Sequence, residues 1–72
     1  MNEYLVRVVM ARPFEPFTLI LSGGHSVDVL HPELIVLTRH IEMATVYDPV
    51  GRREYIQVDK IASIRTIRPV GA

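Results

Sequence analysis

Three histidines, His25, His31 and His40, are the only imidazoles in the chain. With Glu33 they form its one conceivable metal-ligand set, since imidazole nitrogen and carboxylate oxygen both suit zinc. Their spacing matches no recognised ligand pattern, and His31-Pro32-Glu33 reads more simply as a capped turn. His25 falls at a hairpin turn and His40 in a later loop, so the two are expected to lie apart. With no cysteine present, thiol chemistry and cysteine-ligated zinc are excluded. Ser22, Ser26 and Ser63 lack a nucleophile elbow of the G-x-S-x-G kind. Asp28 and Glu33 flank a turn and read as solvated carboxylates. Gly23-Gly24 precedes a strand pattern and not a helix, so no helix N-terminus would receive a phosphate there. The expectation is a non-enzymatic chain with no metal and no cofactor.

Nucleic-acid chemistry has better candidates. Arg52-Arg53 with Tyr55, and Lys60 with Arg65 and Arg68, combine groups that contact phosphate with a ring that can stack on a base. Their plainer reading is a solvated hairpin tip and then outward-facing strand positions. Eight basic and eight acidic residues give a formal net charge of zero. Residues 1–36 carry two basic against four acidic residues, a balance of −2, and residues 37–72 carry six against four, +2. A dedicated nucleic-acid binder usually shows a clear basic excess. The distribution permits a local patch and argues against strong electrostatic binding.

These side chains must be positioned by 72 residues, one domain at most. So short a chain buries only about 60% of its unfolded surface. Yet 49% of its residues are hydrophobic and its mean hydropathy is +0.22, more apolar surface than a small core hides. Short chains without disulfides commonly gain stability by oligomerising, and a homo-oligomer is expected. No apolar run approaches the length of a membrane span, and the N-terminal stretch, interrupted by Glu3 and Arg7, does not read as a signal peptide. The default expectation is a cytoplasmic location without membrane contact.

Residues 2–11 repeat Tyr4, Leu5, Val8 and Val9 at helical spacing, with Asn2 as a candidate cap and Glu3 suited to the first turn. The valines would also suit a strand, but strict alternation fails, and the spacing predicts a short helix over about 2–11. Pro13 ends it. Phe14 and Phe17 should clamp the helix onto the next segment of chain. Phe17, Leu19 and Leu21 alternate on one side, Gly23-Gly24 reads as a two-residue turn in which both glycines supply positive φ, and Val27 and Val29 alternate on the return. After the HPEL turn comes the apolar run 34–38. RHIEM reads as a loop. A second hairpin turns at PVGR. Asp59-Lys60 suggests one turn of 3₁₀ helix, and a last strand runs to Ile67, before Pro69 and Gly71. Strands are expected at about 17–22, 25–30, 34–38, 44–48, 53–58 and 62–67. Short strands joined by tight turns predict a mainly β, small five-stranded antiparallel barrel of SH3-like or Sm-like type with a short N-terminal helix, since closure removes exposed edges.

Two stretches carry a family resemblance. Phe17-Thr-Leu-Ile-Leu with its Gly23-Gly24 turn, and Ile56-Gln57-Val58-Asp59-Lys60-Ile61-Ala62-Ser63-Ile64 before a final strand, resemble the Sm-like fold, including the Hfq-like bacterial RNA chaperones. The stretch from Arg12 to Glu33 also resembles small uncharacterised bacterial proteins with an RPFxPFxLxLSxGxxxxVxHPE pattern. The Sm-like resemblance implies a ring closed by pairing of the last two strands between subunits, with RNA bound near the pore. It assigns Asp59 and Lys60 to a pocket position, while Gln57-Val58 stands where the family carries Arg-Gly. The expected function is a non-enzymatic Sm-like homo-oligomeric assembly, as a ring, with weak RNA binding through Arg52, Arg53, Tyr55, Asp59, Lys60 and Arg65. The alternative is an SH3-like module that binds a protein partner and no nucleic acid.

Overall fold

The helical spacing of the first residues is realised as helix α1, Asn2–Met10, in a computed structural model that describes residues 2–67. Leu5 is buried and Val8 and Val9 pack against the core, because positions three and four apart share one helix face. Tyr4 and Met10 on the other faces stay exposed. The helix stops one residue short of the expected end. The linker to the sheet carries Phe14, which packs at 5.8 Å between ring centroids against the buried Phe17.

Beyond the linker lie six strands: β1 (Phe17–Leu21), β2 (Ser26–Val29), β3 (Ile35–Leu37), β4 (Met43–Tyr47), β5 (Arg53–Gln57) and β6 (Ile61–Thr66). All six predicted stretches are therefore strands, each displaced or shortened slightly at its ends. The expected 3₁₀ turn forms at Val58–Lys60, and the HPEL turn is also 3₁₀, at Pro32–Leu34.

The closed five-stranded barrel does not form. The strands make two three-stranded antiparallel sheets, ordered β2-β1-β6 and β3-β4-β5, with no ladder between them. The physical reason lies in His31-Pro32-Glu33-Leu34. Proline has no N–H to donate to a ladder and fixes its own φ, so the stretch after β2 leaves the first sheet as a 3₁₀ turn and re-enters the second as β3. The six strands expected from the sequence therefore divide three and three between the two sheets, and a five-stranded barrel is not formed.

Both hairpins use the same turn, which in the first replaces the expected two-residue one and in the second falls at the expected PVGR stretch. Gly24 N–H donates to Leu21 C=O at 2.9 Å and Leu21 N–H donates to His25 C=O at 2.8 Å. In the second, Gly51 N–H donates to Asp48 C=O at 3.0 Å and Asp48 N–H to Arg52 C=O at 2.9 Å. Each is a three-residue loop whose last residue adopts positive φ, 93° at Gly24 and 92° at Gly51, where glycine avoids the Cβ clash of other residues.

One core joins the helix and both sheets. Phe17, Leu19 and Val29 come from the first sheet, Ile35, Ala44, Val46 and Ile56 from the second, Leu5 from α1, and Val58 and Ile61 from the corner between β5 and β6. The period-2 alternation of each strand explains the membership, and no buried side-chain polar atom among the described residues lacks a hydrogen-bond partner.

Candidate functional site

The predicted site residues do not form one site. Arg52 sits in the β4–β5 turn, and its guanidinium is engaged there. Its Nε donates to Asp48 Oδ2 at 2.8 Å, while the backbone N–H groups of Arg52 and Val50 donate to Asp48 Oδ1 at 2.9 and 3.0 Å. Desolvation at the turn acts to raise the Asp48 carboxyl. The hydrogen bonds from the Arg52 backbone and side chain, the guanidinium charge and the Val50 N–H outweigh it and hold the group below its ordinary value of 3.8. Arg52 therefore builds the turn.

Arg53 and Tyr55 do come together. They alternate on the outer face of β5, where Arg53 lies opposite Tyr47 and Tyr55 opposite Thr45, with Val36 across Thr45 on β3. Tyr55 is 64% and Val36 55% exposed. This face of the second sheet carries two tyrosines, a valine, a methionine at position 43 and only one charged residue, Arg53. Arg65 is elsewhere, on the outer face of the first sheet opposite Thr18, whose hydroxyl donates to Asp28 at 2.7 Å. Arg68 lies outside the described residues.

Asp59 and Lys60 occupy the Val58–Lys60 turn and are exposed. The Lys60 carbonyl accepts from Ser22 N–H at 2.8 Å, so its backbone anchors the first hairpin to this corner. Asp59 borders a cleft of about 510 Å³ shared with Asn2, His40, Glu42 and Gln57. The loop forming its other wall is tightly held. Thr38 Oγ1 accepts from the N–H groups of Glu42 and Met43, both at 3.1 Å, Ile41 N–H donates to Thr38 C=O at 2.9 Å, and Glu42 C=O accepts from Val58 N–H at 3.0 Å. Ile41 has a φ of 57°, a left-handed conformation rare for a β-branched residue, which this ring of hydrogen bonds holds in place. The sequence marks 39–43 only as a loop and carries no sign that His40 and Glu42 line one cleft with Asp59. Only the tertiary contact between Glu42 and Val58 brings them together. His25 meets Glu54 and no other histidine. Among the described residues no three His, Asp or Glu side chains come together as metal ligands, and no helix is long and apolar enough to cross a membrane.

Of the four sheet-edge strands, β2, β3, β5 and β6, β5 and β6 have the direction of their open backbone groups fixed by bonds at their ends. In an antiparallel ladder, alternate residues direct N–H and C=O to one neighbour and the intervening residues direct theirs to the other side. The bonds Asp48 N–H to Arg52 C=O and Val58 N–H to Glu42 C=O fix which β5 residues face β4. Arg53, Tyr55 and Gln57 therefore point their backbone groups off the sheet. The bond from Ile67 N–H to Pro16 C=O fixes the same alternation for β6, where Ile64 and Thr66 point away from β1. Both strands are sheet edges. Compared with known proteins, the chain matches no family model, no curated protein and no solved structure.

Proposed function

We propose that this chain is a non-enzymatic, self-assembling module of Sm-like kind that binds single-stranded RNA weakly. The observation that carries the reading is the pair of open edges, β5 and β6. If β2 and β3 are counted as one strand interrupted at His31–Leu34, the chain runs as an uninterrupted antiparallel succession, β6, β1, β2–β3, β4, β5. It is open at both ends. Exposed edges of this kind recruit other strands. Pairing of β5 of one copy with β6 of the next is heterologous, and such contacts close into a ring when the rotation allows. The apolar composition supports the same conclusion.

The RNA part rests on Arg53 and Tyr55, which present a cation and a stacking surface side by side, and on the Asp59 cleft, whose amide and imidazole groups suit base edges. Arg65 belongs to a different face and Arg52 to the turn. Light scattering on the purified protein tests assembly: the Sm-like resemblance implies a closed species of about five to eight copies, since heterologous contacts close into rings. Fluorescence anisotropy with a short single-stranded RNA tests the second part, with Arg53→Ala and Tyr55→Ala each weakening binding. A monomer that captures a protein partner and no RNA would replace this reading with the SH3-like interaction module.

A further inference from the structure

We infer that His25 and Glu54 form a pH-responsive clasp that holds shut the seam between the two sheets. The seam lies where β2, an edge of the first sheet, faces the β4–β5 hairpin of the second, and no ladder crosses it. A cleft of about 500 Å³ occupies it, with Val27, Leu30 and Val46 among its apolar walls. At one end His25 Nε2 lies 2.7 Å from Glu54 Oε2. Among the described residues this is the only side-chain hydrogen bond that joins the two sheets.

The fold arranges the contact. Gly24 turns the first hairpin in the left-handed conformation, and His25 is the next residue. Glu54 occupies the inward side of β5, opposite the buried Val46, while its neighbours Arg53 and Tyr55 face outward. The Glu54 carboxylate reaches the rim of the cleft, where it meets the His25 ring. The other charged groups lining the cleft are Asp28, Asp48, Arg52 and Arg53. Asp28 accepts the Thr18 hydroxyl and Asp48 holds Arg52, so both neighbouring carboxylates are already bonded.

Histidine is the side chain whose charge changes between about pH 5 and 8. Protonated, its Nε2–H donates a charge-assisted hydrogen bond to Glu54, stronger than a neutral one. Neutral, it retains at most an ordinary hydrogen bond. The His25 and Glu54 side chains are 60% and 42% exposed, so solvent screens the pair. It therefore acts as a fastening that opens readily, and its loss leaves the seam held by core packing alone.

The test is a double-mutant cycle on the whole chain with His25→Gln, Glu54→Gln and both, read as thermal midpoints near pH 5.5 and near pH 8. The expected coupling is about 2–4 °C at the lower pH and less than half of that at the higher. A second measurement needs no variant. In the wild-type protein the backbone amide shifts of residues 46–54 should titrate together with the His25 ring, while the rings of His31 and His40 serve as controls. A coupling no larger at pH 5.5 than at pH 8, or amides at 46–54 that ignore His25, would overturn the clasp. Both readouts are intramolecular, so their outcome is independent of whether copies assemble.

Discussion

Asp48 shows how a single side chain sets the shape of a hairpin. Its carboxylate binds two backbone N–H groups and one guanidinium across the β4–β5 turn. Because the group ionises at lower pH in the folded chain than in the unfolded one, its charged form adds stability above the unfolded value. That stability is lost as pH falls through the folded value. Asp48→Asn keeps an acceptor for the two N–H groups and removes the charge. It is expected to lower the thermal midpoint at pH 7, with the difference between variant and wild type shrinking as pH falls through the lowered folded value of Asp48. Thermal melts across pH 2–7 check this, and a gap that persists at pH 2 would assign the effect to packing. In the sequence Arg52 stands out as half of a basic pair. Its role becomes visible only with Asp48 beside it, four residues back.

At the scale of elements, the sequence is most readable where local chemistry decides. The alternation of Phe17, Leu19 and Leu21, the glycines at 24 and 51, and the Asp59-Lys60 break all rest on neighbours within a few residues, and each produces the element expected. The turn type is not legible, because Gly23-Gly24 offers two permissive residues and only Gly24 takes the positive φ. Barrel closure is not legible either, because it depends on how far Pro32 diverts the chain, a geometric outcome without a local signature. The same holds for the partner of Glu54, since residues 29 positions apart, such as His25 and Glu54, meet only through the packing of two sheets.

The strand edges carry their own prediction. The Arg65 backbone bonds to β1, whereas that of Thr66 faces away from it. Proline at position 65 removes an internal ladder bond and should cost about 1–3 kcal/mol of stability. Proline at position 66 removes only a donor on the free edge and is compatible with an edge strand. Thr66→Pro should thus fold near wild-type stability and lose assembly, whereas Arg65→Pro loses stability first. Melting curves and light scattering on the two variants separate these effects. Thr66→Pro protein that remained fully assembled would exclude β6 from the interface.

For the whole molecule, charge bounds the strength of any RNA complex. The chain is neutral, and of the basic residues considered for binding only Arg53 sits beside an exposed tyrosine on one face. For single strands the logarithm of affinity falls with the logarithm of salt by about 0.7 per phosphate neutralised. A single copy that engages one phosphate through Arg53 should therefore show a slope of only about −0.7 with a three-nucleotide RNA. Stacking on Tyr55 contributes about 1–3 kcal/mol and is insensitive to salt, so Tyr55→Ala should weaken binding without changing the slope, whereas Arg53→Ala should flatten it. Assembly changes the outcome for longer RNA. If copies assemble into the proposed ring, the same weak site is repeated at a fixed spacing, and linked sites raise the overall affinity by effective concentration. Binding should then strengthen steeply with RNA length until the ring is spanned, and level off beyond it. In Thr66→Pro the dependence on length should be shallow while three-nucleotide binding is unchanged. That contrast, measured by anisotropy over a length series, separates a neutral module that binds RNA through repetition from one that does not bind RNA at all.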